Sequence, residues 1–97
     1  MATFSFNQDD LEIICRQNDV TMIGLFGSTA RGEATKESDL DFLVRYGKRK
    51  SLLSVVKLER ELSESLGQKV DLLTEAAISP YIRDNILRDL KVIYEQE

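Results

Sequence analysis

The stretch that most constrains this chain is Gly27-Ser28, then ten residues, then Asp39-Leu40-Asp41. In full it reads Gly27-Ser28-Thr29-Ala30-Arg31-Gly32 and, after five further residues, Ser38-Asp39-Leu40-Asp41. A turn of small residues leading out of an apolar run exposes backbone N–H groups, which suit a phosphate. Two carboxylates at i and i+2 of an extended segment share one face, with Cα atoms about 6.8 Å apart. Leaning inward, they can share a hard divalent cation, which takes oxygen ligands. A phosphate cradle beside a metal site is the equipment of phosphoryl or nucleotidyl transfer. Singly, each piece has a plainer meaning: Asp-x-Asp is a common pair of solvent-facing acids, and Gly-Ser is an ordinary turn. In this order, with Arg31, Gly32 and Ser38 in place, they form a strong set.

The chain has 97 residues, one domain's worth (1–97), and can bury one modest core. A hydrophobic fraction of 42% with a single proline argues for a globular fold. No apolar run approaches the ~20 residues that cross a bilayer, and the start lacks a basic stretch followed by an apolar one, so a cytoplasmic protein without a membrane partner is expected. There is no histidine, which removes Ser-His-Asp and Cys-His chemistry and the usual zinc sites. Catalysis must therefore run on carboxylates, hydroxyls, Lys or Arg, and metal ions. The lone Cys15 lies among Leu11, Ile13, Ile14 and Val20 and reads as a buried structural thiol. A net charge of −4 weighs against direct nucleic-acid binding. It does not exclude a nucleotide whose charge is offset by metal ions.

The pattern predicts a helix from Gln8 to Asn18 capped by Asn7, and a strand over Met22–Phe26. A short helix capped by Ser28 and running to about Ala34 should follow, then a strand over Asp39–Tyr46. In that strand Leu40, Phe42 and Val44 face one side, and Asp39, Asp41, Leu43 and Arg45 the other. Gly47-Lys48-Arg49-Lys50 is a basic turn, a solvated loop or a contact for phosphate or an acidic partner. Ser51 caps a helix to Leu66, with Leu52, Val55, Val56, Leu62 and Leu66 inward, Leu58 at the edge of that face and Gly67 as the stop. A strand over Lys69–Thr74, a helix entered at Ser79-Pro80 and burying Ile82, Ile86, Leu87 and Leu90, and a short strand at Val92–Tyr94 complete the order. The class is α/β (α+β), a small mixed sheet with helices on one face.

Asp71 is a charge inside the apolar run Val70-Asp71-Leu72-Leu73, and a buried carboxylate needs a partner. Lys69 or a helix arginine is the plain choice. If its strand lies beside the Asp39–Asp41 strand, Asp71 faces the same metals as ligand, general base, or both.

The run Gly27–Asp41 resembles the signature of the nucleotidyltransferase superfamily that includes DNA polymerase β and the aminoglycoside nucleotidyltransferases. With the Val-Asp-Leu strand at 70–72 and the Ser-Pro helix entry, residues 20 to 94 are similar to the minimal nucleotidyltransferases. That resemblance implies a polymerase β palm-like fold. It implies that Ser28 and the backbone around Gly27 and Thr29 hold the β- and γ-phosphates, that Asp39 and Asp41 bind two Mg²⁺, and that Asp71 completes one metal site. It leaves Arg31 either neutralising phosphate or tying the short helix to the sheet.

Minimal nucleotidyltransferases resemble antitoxins that act opposite a helical HEPN-domain RNase toxin. The resemblance implies transfer of AMP from ATP to a tyrosine of that toxin within a hetero-oligomer. Two alternatives stay open: a nucleotidyltransferase acting on a small molecule or RNA end, and a binding antitoxin without catalysis.

Overall fold

A computed structural model describes residues 7–33, 35 and 39–96. Ala34, the expected end of the short helix, and Ser38 lie outside the described residues. Asn7 is extended and its side chain accepts a hydrogen bond from Asp10 N–H at 3.1 Å, which starts α1 (Gln8–Gln17). Asp9 and Asp10 then sit in the first turn, where they complement the helix dipole. Leu11 and Cys15 point into the core, and burial pushes the Cys15 thiol up to about 12. Cys15 is thus the inert structural thiol expected.

Four strands form one sheet in the order β3-β2-β1-β4. β1 (Val20–Leu25) lies antiparallel to both β2 (Leu40–Tyr46) and β4 (Lys91–Glu95), while β2 and β3 (Val70–Thr74) run parallel. Parallel neighbours need a crossover, supplied here by α3 (Leu52–Leu66). β1 begins two residues earlier than its apolar run suggests, and a register shift between Val20 and Met22 puts these two residues into different clusters. Leu40, Phe42 and Val44 are fully buried with Leu11, Cys15, Leu58 and Leu62 of the helices, as the strand's alternation predicts.

The expectation of helices on one face needs correction. α1 and α3 cover the face carrying Phe42, but α4 (Pro80–Asp89) sends Ile86 to a second cluster with Met22 and Leu43 on the other face. The helices are divided because β1 and β2 are apolar on both sides.

α3 begins at Ser51, which caps Ser54 N–H, and ends at Gly67, whose φ of 69° is the left-handed turn of a helix stop. Its buried stripe is half-buried Val55, then Leu58, Leu62 and half-buried Leu66, at i, i+3, i+7 and i+11. Leu58 is therefore central to the core and not at its edge, while Leu52 and Val56 are 77% and 48% exposed. On α4, Ile86 is buried, but Ile82 and Leu87 stay largely outside.

α3 also holds the edge strand β3. Ser63 Oγ accepts from Val70 N–H at 3.0 Å and Glu59 Oε2 from Leu72 N–H at 3.2 Å. These bonds satisfy outward N–H groups that an edge strand would otherwise offer to another chain. No helix among the described residues is long and apolar enough to cross a membrane.

Candidate active site

The candidate site forms where β1 ends and β2 and β3 begin. Beyond Leu25 the chain enters α2 (Gly27–Ala30) with Phe26 as the residue before the first turn. The Ala30 N–H bonds Phe26 O at 3.3 Å and the Arg31 N–H bonds Gly27 O at 3.2 Å. The N–H groups of Gly27, Ser28 and Thr29 thus precede the first intrahelical bond and are the donors a helix start offers to an anion. Ser28 is not the cap: it is the second helical residue, because Gly27 adopts φ +60° and begins the turn one position earlier.

Gly27 is required twice over. Its φ favours glycine, and a Cβ there would stand 2.8 Å from Asp41 Oδ2. The helix start and the carboxylate are therefore in direct contact. Thr29, which the sequence offers only as a backbone donor, contributes its side chain as well. Its hydroxyl is buried and accepts from Asp41 N–H at 2.8 Å, while Phe26 N–H donates to Asp41 O at 3.1 Å. Asp41 is pinned on both sides of its main chain by residues of the α2 turn.

The parallel register sets Asp41 opposite Asp71 and Leu40 opposite Val70. Neighbours in register on parallel strands point to the same face, so Asp71 joins Asp41 as the adjacent-strand arrangement requires. Asp71 is exposed, which corrects the premise that it is a buried charge seeking a cation. Lys69 lies instead 3.7 Å from Asp39, a surface pair of small energetic weight. Burial, then Asp71, then Asp39 push the Asp41 carboxyl above its usual range, with Arg31 opposing them. The site is thus a region of crowded negative charge.

That donor set fits magnesium. All three groups are carboxylates, and their mutual repulsion is what a hard cation relieves. Among the described residues no three ligating side chains stand close enough together to hold a metal ion. Asp39, Asp41 and Asp71 share one end of the sheet without forming a finished cage.

Arg31 leaves α2 and bonds Glu33 at 3.0 Å and Asp89 at 2.7 Å. It therefore ties α2 to the end of α4 and not to the sheet, while half of its side chain remains exposed. Sequence reasoning missed Asp89, Glu59 and Ser63 as supports of the site, because each acts through a contact between distant segments.

The nucleotidyltransferase domain family matches this chain over residues 10–93. A Methanocaldococcus jannaschii protein provisionally named a protein adenylyltransferase is 45% identical over 76 residues, covering 78% of this chain and 82% of the relative. The protein adenylyltransferase MntA of Thermococcus cleftensis is 41% identical over 71 residues, covering 73% and 72%. Two solved structures share the fold. One is a toxin–antitoxin with AMP-PNP (TM-score 0.79, 22% identity, 95% of this chain and 76% of that chain). The other is an MNT antitoxin in complex with a tri-AMPylated Shewanella oneidensis HEPN toxin (TM-score 0.69, 20% identity, 92% and 70%). On the span and identity of these matches, the chain belongs to the nucleotidyltransferase domain family, as the run from Gly27 to Asp41 implied.

Proposed function

We propose that this chain is a protein adenylyltransferase antitoxin: it transfers AMP from ATP to a tyrosine of a HEPN-domain RNase partner and thereby silences it in the cytoplasm. The observation that carries the reading is Asp41, locked between Gly27 and Thr29 and set in register with Asp71. The names of the relatives supply the class of acceptor. The AMPylated toxin of the structural neighbour supplies the kind of partner.

The N–H groups of Gly27, Ser28 and Thr29, with the Ser28 hydroxyl, would hold the β- and γ-phosphates. Arg31 would add positive charge at the same helix while staying anchored to Asp89. Asp39, Asp41 and Asp71 would hold Mg²⁺, two ions in sites of this kind, whose chemistry is to neutralise phosphate charge and polarise the reacting phosphorus. Asp71 would take the proton of the acceptor hydroxyl. The acceptor oxygen then bonds to the α-phosphorus, the bond from that phosphorus to the β-bridging oxygen breaks, and pyrophosphate leaves. The AMP that stays on the tyrosine adds bulk and negative charge, which oppose RNA binding at the partner's RNase site.

Intact-mass analysis of the co-purified partner, after incubation with Mg²⁺ and each nucleoside triphosphate, tests this. The expected result is a gain of AMP units with ATP, absent in Asp39→Asn/Asp41→Asn. Protection that survives those substitutions without a mass gain means a binding antitoxin. Label found on a small molecule or RNA end means a different acceptor.

A further inference from the structure

The far end of β2 carries a second constellation that nucleotide transfer does not use. There a cavity of about 800 Å³ opens between the basic turn, the start of α3, the 3₁₀ turn at Glu75–Ala77 and α4. Arg45, Lys48, Arg49, Lys50 and Arg83 line it, and Glu75 is the only acid among its lining residues. Glu75 pairs with Arg45 at 2.9 Å. Asp19, just outside, serves both Lys50 at 2.6 Å and Lys48 at 3.6 Å. Two carboxylates thus answer three cations, and Arg49 and Arg83 have no ion pair among the described residues. This surplus of positive charge stands on a chain whose net charge is −4, so the positive patch is local.

Part of the cavity wall is apolar. Leu52, Val55 and Ile78 contribute to its wall, and Leu52 and the residue after it, Leu53, are 77% and 80% exposed. Adjacent leucines this exposed, one of them on the wall of a cavity that Arg49 and Arg83 line without an ion pair among the described residues, mark an interaction surface. Resting on the adenylyltransferase reading, we infer that this cavity docks an acidic segment of the protein acceptor that carries apolar anchors. A nucleic acid fits less well. Single strands take stacking aromatics, whereas the one aromatic here, Tyr46, packs against the core. The remaining acidic surface would repel a long polyanion, while a short acidic segment meets only the local charge. Arg45 lies four residues along β2 from Asp41 and on the same face, roughly 13 Å away. Docking and chemistry therefore occupy opposite ends of one strand.

The test uses the full chain with its HEPN partner and compares Arg49→Glu/Arg83→Glu with the parent. Both arginines are exposed, and circular dichroism confirms the fold. The expected result is an acceptor KM and Kd raised at least about tenfold, with kcat and the KM for ATP unchanged. Leu52→Ser/Leu53→Ser should weaken the acceptor in the same way. Hydrogen exchange of the complex should show protection over 45–55 and 74–83. A partner that gains mass with an unchanged KM in the charge-reversed chain refutes the docking surface alone. A partner that binds through this surface without gaining mass refutes the transfer and leaves the surface standing. No binding at all refutes both, and single-stranded RNA protecting the same amides in place of the partner makes this a nucleic-acid site.

Discussion

Gly27→Ala separates the two demands that the α2 turn makes on its first residue. At φ +60° an L-residue costs about 1–2 kcal/mol. For a chain of this size each kcal/mol lowers Tm by about 4–8 °C, so a fall of about 4–16 °C is expected. The second demand is steric. The new Cβ would stand 2.8 Å from Asp41 Oδ2, where ordinary contact begins at 3.4 Å. Asp41 cannot retreat with its backbone, because Thr29 and Phe26 hold both its N–H and its C=O. The carboxylate must swing away by about 0.6 Å, the difference between 3.4 Å and 2.8 Å, and displacements of about 1 Å in a catalytic array cost ~10² in rate. A loss of roughly tenfold or more in kcat is therefore expected.

Gly67→Ala is the control. Gly67, at the end of α3, has φ +69° and nothing within 4 Å of its Cβ position, so it touches no site carboxylate. It carries the conformational cost and not the clash. Both variants should melt earlier by similar amounts, and only Gly27→Ala should slow pyrophosphate release, measured well below either Tm with nucleotide and acceptor saturating. Equal rates in the two variants would refute the claim that Gly27 exists to admit the Asp41 carboxylate.

Thr29→Val keeps the shape but leaves the Asp41 N–H unpaired, so it should cost about 1–3 kcal/mol in denaturant unfolding and slow transfer, with Thr29→Ser restoring both; a Ser variant as slow as Val would sink this. Leu58→Ala should cost about 2–5 kcal/mol, whereas Val56→Ala, at an outward position, should cost under about 1 kcal/mol; urea melts that rank them the other way would contradict the phase of α3. Burial, Asp71 and Asp39 raise the Asp41 carboxyl, so the folded chain holds that proton more tightly than the unfolded chain. The associated stability is full below the unfolded value of 3.8 and is lost as pH rises through the folded value. In metal-free buffer Asp41→Asn should melt above the parent at pH 7, with the gap closing as pH falls toward 3.8; a gap that widens on acidification would be wrong for a raised carboxyl.

What could be read from the sequence divides along a physical line. The two-residue alternation of Asp39-Leu40-Asp41-Phe42 fixes which side chains share a face, and the structure keeps that alternation through Arg45. Caps are equally local, and Asn7, Ser51 and Ser79 all perform as their side chains suggest. Thr29 is different: its hydroxyl matters only because α2 folds back on β2, and nothing in Gly-Ser-Thr-Ala distinguishes that threonine from its neighbours. Asp71 misleads for a related reason, since an acid within an apolar run reads as buried until its strand is known to lie at an edge with one face open. α3 has the most instructive error. Leu52, Leu53, Val55, Val56 and Leu58 offer more apolar positions than one stripe can bury, and periodicity alone cannot say which set faces inward. The core takes Leu58 and leaves Leu52 and Leu53 outside, with Leu52 on the same cavity wall as Arg49, which has no ion pair among the described residues. A leucine that the core does not need, held on the wall of a basic cavity beside a second exposed leucine, is better explained by a partner than by the fold. That is why the surplus of hydrophobic pattern at the start of α3, which defeats a reading of the helix, is itself informative about docking.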